Sequence, residues 1–318
     1  MARQAASVTE QLFFLHIPKT GGISLRNWLG DQFPAGRVCW IDHHDPRAAE
    51  GCDLDDSDLV GGHACYRLVE RFARRPRVIT FLREPIDRAL SAFYFFRQLG
   101  RDGLVKEGAS PSLLRACELS LADFIVREPR EATLQLGSTQ TWMLSQDQLG
   151  GFTDGPLQLG MADLKAATSN LARCEFIGLT ERMDESIALL CRVMGWRARA
   201  LSERANPTAR RPGVADLDAP TRRLLEELTS LDQELYRFGV QLFEQRLRET
   251  PPAPSLLARL LARFRREREP ALPLAGTLRW DPPAAGHSGP KGNVSGSVAA
   301  SQGHAEGPDL TETAPGPR

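Results

Sequence analysis

Short continuous apolar runs alternate along this chain with longer stretches that are apolar on one face only. Leu12 to Ile17, Arg37 to Ile41, the approach Asp58-Leu59-Val60-Gly61-Gly62-His63, Arg77 to Leu82 and the segment Cys174 to Leu179 have the length of strands. Runs this short, continuous rather than alternating, suit strands buried on both faces and are too short for helices. Helical spacing follows several of them. Ile23 to Leu29 starts a helix after the first run, and Ala89 to Phe96 forms one with Pro85 in its first turn, where a missing N–H is no loss. Leu164 to Ala172, the stretch ending at Met194, and Asp218 to Leu247 are helical, the last as two helices broken near Ser230-Leu231-Asp232. Val69 to Arg77 reads as a basic helix end. Arg101 to Gly160 is mostly helical, with a loop near Gly108 to Pro111 and a Gly/Pro-rich break from Gly150 to Pro156. Strands alternating with helices predict an α/β fold with a central, mostly parallel sheet covered on both faces.

The pattern fades after Thr250. Residues 1–250 form the expected domain, and 251–280 a short basic amphipathic helix and linker. Residues 281–318 are rich in Gly, Pro, Ser and Ala, and bury too little apolar surface to order themselves, so a disordered tail is expected.

Bulk properties mainly exclude. With 40 basic and 40 acidic residues the net charge is zero, which gives no case for nucleic acid or an acidic membrane as partner. No apolar run approaches the ~20 residues that span a bilayer. The first strand begins about ten residues after Met1, leaving no room for a signal peptide, so a cytoplasmic protein is expected. The six cysteines contain no Cys-x-x-Cys pair and read as reduced thiols, with the equal steps from Cys39 to Cys52 to Cys65 taken as coincidence. His43 and His44 lie among Asp42 and Asp45 without a ligand spacing, so a solvated loop is expected there and no metal.

Candidate chemistry concentrates at two strand-to-helix junctions. In the first, Lys19-Thr20-Gly21-Gly22 turns the chain between the first strand and Ile23-Ser24. A strand feeding a glycine turn and a helix N-terminus is an anion cradle, because unpaired backbone N–H groups and the helix dipole face outward together. Lys19 is one of only four lysines among the 40 basic residues, which suggests that a compact ammonium is wanted there. In the second, Arg83 at a strand end and Ser91 two helical turns later can face a phosphate lying over the sheet. The alternative makes Arg83 an ion-pair partner of Glu84 or Asp87, and Ser91 a small packing residue. His63 falls at a strand end, where open α/β sheets build their sites.

Two phosphate-type sites in succession suggest a ligand with phosphate at both ends. The lysine precedes the glycines, unlike the order in P-loop NTPases, which argues against ATP hydrolysis. His16-Ile17-Pro18-Lys19-Thr20-Gly21-Gly22-Ile23-Ser24 resembles the 5′-phosphosulfate-binding loop of sulfotransferases that use 3′-phosphoadenosine 5′-phosphosulfate (PAPS). The similarity is greatest to the carbohydrate branch related to heparan sulfate 2-O-sulfotransferase. Arg83-Glu84-Pro85 with Arg88 and Ser91 resembles that family's 3′-phosphate motif, and Gly62-His63 stands where such enzymes carry the catalytic base. Phe176 to Arg182 and Leu231 to Tyr236 also look like family segments, so the resemblance covers about residues 10–247. Ile23 departs from it, replacing a threonine of the loop.

The resemblance implies a P-loop-NTPase-like three-layer α/β/α fold and a sulfotransferase. Lys19 and the backbone of Thr20, Gly21, Gly22, Ile23 and Ser24 would bind the 5′ side of PAPS, and Arg83 and Ser91 its 3′-phosphate. By analogy with the family's late loop, Thr208 and Arg210 or Arg211 would close over that phosphate. Lys19 and His63 would be catalytic, with no metal in the scheme and a carbohydrate or glycolipid hydroxyl as acceptor. The rival expectation is a non-catalytic module that binds 3′,5′-phosphoadenosine (PAP) or another nucleotide, for which His63 is not needed.

Overall fold

Five strands pair in parallel in the computed structural model: β1 (Leu12–Leu15), β2 (Val38–Ile41), β3 (Leu59–Gly62), β4 (Arg77–Leu82) and β5 (Phe176–Leu179). The structure describes residues 11–34, 36–41, 52–102, 111–145, 158–197 and 211–250. These lie in one unit, Met1–Ser255, and the second unit, Leu256–Arg318, is outside the described residues. The basic helix expected at 251–280 and the disordered tail expected at 281–318 therefore fall there as well.

Strand order across the sheet is β2-β3-β1-β4-β5. All four residues of β1 are buried, as are those of β3 and β5, which is why their sequences run apolar without alternation. The chain leaves β1 for β2 and β3 on one side, then crosses to β4 on the other. Strand order reverses between β1 and β4, and the carboxyl ends of such a pair open a crevice in α/β sheets. Leu15 is in register with both Gly62 and Thr80, so the segments after β1, β3 and β4 leave from the same edge.

Helix α1 (Gly22–Gly30) follows β1, and α2 (Pro85–Arg101) follows β4. Glu84 caps α2, accepting the N–H groups of Ile86 at 3.2 Å and Asp87 at 2.7 Å, with Pro85 at its first position. The helix is longer than the expected Ala89 to Phe96. The described part of 101–160 is helical as expected, including α3 (Pro111–Leu114), α4 (Leu121–Arg127), α5 (Pro129–Leu136) and α6 (Thr139–Ser145). Then come α7 (Met161–Ala172), α8 (Met183–Met194), α9 (Ala219–Leu228) and α10 (Ser230–Glu249), the last two divided where the sequence placed the break. The Val69–Arg77 helix end is instead one short tight-helical turn, Tyr66–Arg71. One buried core surrounds the sheet, and a second joins α2, α4, α5 and α9 through Phe93, Phe124 and Leu225.

Cys39 and Cys52 form a disulfide with Cα atoms 5.9 Å apart, which corrects the reading of six reduced thiols. Cys52, in the described segment that leads into β3, lies beside Cys39 of β2, so the thirteen-residue step between them is a structural spacing. Cys65, Cys117, Cys174 and Cys191 remain thiols. Among the described residues no helix is long and apolar enough to cross a membrane.

Candidate functional site

The loop after β1 is wound by two residues in left-handed conformation, Lys19 (φ 71°) and Gly21 (φ 83°). Glycine takes that region freely, whereas an L-residue such as lysine pays roughly 1–2 kcal/mol. The loop is tied down from three directions. Thr20 Oγ1 donates to the Ile17 carbonyl at 2.8 Å, and Arg83 Nη1 donates to the Lys19 carbonyl at 2.8 Å. The Thr180 hydroxyl, just past β5, lies 3.0 Å from both the Thr20 and Leu82 carbonyls and stitches the loop to the end of β4. α1 then begins at Gly22 with no acidic residue in its first turn. Gly22 has a second reason to be glycine. A Cβ there would come 1.5 Å from His16 Nε2, so the His16 imidazole occupies the space that a side chain would need. Ile23 is 53% exposed at the start of α1.

Lys19 points toward α2, its Nζ 3.7 Å from the centre of the Phe95 ring. Burial, then the positive charges of Arg83, Arg211 and Arg88, push its ammonium down to about 8. Asp87, Ser91 and Phe95 recur every four residues and share one face of α2. The loop and this face therefore bring Lys19, Arg83 and Ser91 together. Ser91 is buried.

Arg83 takes the ion-pair alternative. Its Nε and Nη2 donate to Asp87 Oδ2 at 2.8 and 2.6 Å, while Arg211 holds the other carboxylate oxygen. Burial works to raise the Asp87 carboxyl, but Arg83 and Arg211 outweigh it and hold it below the usual range. Arg88 is fully buried, and donates to the carbonyls of Leu136 at 2.8 Å and Gly137 at 2.9 Å. Burial lowers its guanidinium to about 10 against the opposing charge of Asp232. Asp232 is itself fully buried and accepts the N–H groups of Gln140 at 3.1 Å and Thr141 at 2.7 Å. Lys19, Arg83, Arg88 and Arg211 thus gather beside the β1–β4 crevice, with Asp87 and Asp232 among them and Glu84 and Glu181 at the Arg83 corner.

Arg83 is also fixed through its backbone. The Gln140 amide closes a reciprocal pair with it, accepting from Arg83 N at 3.0 Å and donating to Arg83 O at 2.9 Å. Glu181 accepts from the Glu84 N–H at 2.7 Å and from the Tyr236 hydroxyl at 2.9 Å. Glu181 and Tyr236 stood in the sequence segments noted above, but their contact with the Arg83-Glu84 corner was not foreseen. Nor were Gln140, Asp232 and Phe95, whose partners are distant in sequence. Thr208 and Arg210 lie outside the described residues.

His63 follows β3 and His16 follows β1. His16 N donates to the Gly62 carbonyl at 3.0 Å, one step beyond the paired Leu15 and Gly62. The two imidazole centres are 4.4 Å apart, with planes inclined at 42°. His16 also stacks on Phe14 at 5.4 Å and 15°. His16 was visible only as the first residue of the loop motif, because its pairing depends on β1 lying next to β3. Among the described residues no group of three or more His, Cys, Asp and Glu could hold a metal ion; His43 and His44 lie outside them.

No family model matches this chain, and no curated protein matches it.

Proposed function

We propose that this chain is a PAPS-dependent sulfotransferase, moving a sulfuryl group to an acceptor hydroxyl. The observation that carries the reading is the cationic cluster of Lys19, Arg83, Arg88 and Arg211 beside a glycine-turned helix N-terminus. A buried ammonium repelled by three neighbouring guanidinium groups is disfavoured, and a bound anion would relieve that repulsion. The residues present fit a nucleotide with separate anionic groups, one at the loop and one along the Arg83–Ser91 face. On this reading the sheet belongs to a P-loop-like three-layer α/β/α fold.

PAPS would supply an activated sulfuryl group. The backbone N–H groups from Thr20 to Ser24 would hold its 5′ side, and Ile23 retains that N–H although it brings no hydroxyl. Lys19 would stabilise the negative charge gathering on the bridging oxygen as the bond from that oxygen to sulfur breaks. Arg83 and Ser91 would hold the 3′-phosphate, with the Asp87 carboxylate giving up part of its hold on Arg83 and Arg211. His63 would take the acceptor proton while the acceptor oxygen bonds to sulfur, a general-base role that an imidazole can fill. A carbohydrate or glycolipid acceptor rests on the sequence resemblance. A cytoplasmic site has lost its support from reduced cysteines, because the Cys39–Cys52 disulfide suits an oxidising compartment.

The test is thermal stabilisation by PAP beside 5′-AMP and ATP. Ligand at ~100 Kd contributes about 2.7 kcal/mol to stability, an easily measured shift. Stabilisation specific to the 3′-phosphate is expected. No stabilisation by PAP would refute the reading, and stabilisation without transfer to any acceptor would leave a non-catalytic PAP-binding module.

A further inference from the structure

Asp87, Ser91 and Phe95 recur at four-residue spacing along one face of α2. The first two belong to the anion site, and the third has no role in the scheme above. We propose that Phe95 is the positioning residue for Lys19, its ring face holding the ammonium in the crevice at the place from which it serves a bound anion. This deepens the sulfotransferase reading and rests on it for the identity of the reaction, though the hold of the ring on the ammonium does not.

Lys19 is fixed at both ends. Its backbone takes the left-handed conformation at φ 71°, and Arg83 Nη1 donates to its carbonyl at 2.8 Å. Its Nζ lies 3.7 Å from the centre of the Phe95 ring, over the negative face of the π system. Long helical side chains lean toward the helix N-terminus, so the Phe95 ring stands on the Ser91 side of its own Cα. The Phe96 ring abuts it, with centres 5.7 Å apart and planes inclined at 59°. The pull of the ring matters because the neighbouring cations push. Arg83, Arg211 and Arg88 all act against the ammonium, and burial adds to them. Asp87, on the same face of α2, is bonded by Arg83 and Arg211 at both of its oxygens. A lysine stem has enough rotamers to carry its charge away from such neighbours. Attraction to the ring selects the rotamer that keeps the charge in the crevice. A carboxylate in that place would hold the ammonium too, but it would occupy the position of the anion, which an aromatic face leaves open.

The chain has only four lysines, so the ε-methylene signals of the lysine-labelled full chain are few enough to follow by NMR against pH, with Lys19→Arg for assignment. In wild type the Lys19 signal is expected upfield of the other three, displaced by the ring current. In Phe95→Leu that displacement should vanish, and the Lys19 titration midpoint should fall by ~0.4–1.5 pH units, the equivalent of a lost cation–π contact. Arg83, Asp87, Arg88 and Arg211 are common to both proteins, so the difference reports the ring. Phe95→Tyr should restore both readings, and Phe95→Met replaces the leucine variant if that one does not fold. Release of PAP from PAPS is followed on the same samples. In Phe95→Leu kcat is expected to fall by ~2- to 30-fold with KM for PAPS little changed, and to recover in Phe95→Tyr. A Lys19 signal unmoved in Phe95→Leu, or one that moves while kcat stays at the wild-type value, would overturn the proposal. Absence of any stabilisation by PAP would remove the sulfotransferase reading, while the Lys19 signal still decides the hold of the ring.

Discussion

Lys19 should make the folded protein less stable than a neutral side chain would. Its ammonium is pushed from the ordinary 10.5 down to about 8, first by burial and then by three arginines. At ~1.4 kcal/mol per pH unit, that displacement costs the fold about 3 kcal/mol at pH 7. The Phe95 ring offsets part of it, since an ammonium over an aromatic face gains ~0.5–2 kcal/mol. Lys19→Met keeps the aliphatic stem and removes the charge, so it should stabilise the protein by about 1–3 kcal/mol at pH 7 while abolishing PAP stabilisation.

The pH dependence separates this cause from simple repacking. Between about 8 and 10.5 the unfolded chain holds the Lys19 proton and the native chain does not. Unfolding then takes up a proton, so native stability rises with pH across that window. The advantage of Lys19→Met over wild type should therefore shrink by about 1–2 kcal/mol between pH 7 and pH 9.5. Urea denaturation of both proteins at the two pH values measures it, since other titrating groups cancel in the comparison. A gap that does not change with pH, or a variant less stable at pH 7, would refute the reasoning.

Gly22→Ala places a Cβ against His16 and should destabilise by about 1–3 kcal/mol. Combining it with His16→Ala should recover much of that loss, as a double-mutant cycle in urea would show. Asp232→Ala leaves two buried N–H groups and the Arg88 charge uncompensated, and should cost about 3–5 kcal/mol in chemical denaturation. Reducing the Cys39–Cys52 bond should cost about 3 kcal/mol and lower the melting temperature, and a peptide map without reductant should recover the two cysteines linked.

The strands and most helices were legible because their signals are local. β4 matches its expected limits at both ends, and the α9–α10 division falls where Ser230-Leu231-Asp232 placed it. β1 stops two residues short of the expected Ile17, because His16 hands its last sheet bond to Gly62 and the chain then turns toward Lys19. The two outcomes open to Arg83 were also readable, since Asp87 lies one helical turn ahead of it. What the sequence did not show is that Arg211, 124 residues from Asp87, bonds the second oxygen of the same carboxylate. Gln140 gave no signal, and Asp232 stood out only within the helix break and the Leu231–Tyr236 segment, with no hint of its partners. A buried glutamine bonded to a strand end and a buried aspartate bonded to a helix start look in sequence like any other polar residues.

Strand order is what joins the separate signals into a site. The sequence placed Lys19, His63 and Arg83 each after a strand, but any order of five parallel strands satisfies that pattern. With β1 between β3 and β4, one loop meets a histidine on one side and an arginine corner on the other. Moving β1 to an edge would separate Lys19 from one of them and leave the His16 ring without His63. Arg83 and Asp87 then account for the remaining step. The Asp87 carboxylate, bonded by both Arg83 and Arg211, holds their forks in place. On the proposed reading a phosphate would have to compete with that carboxylate for them, which would favour a doubly charged phosphate over a singly charged anion.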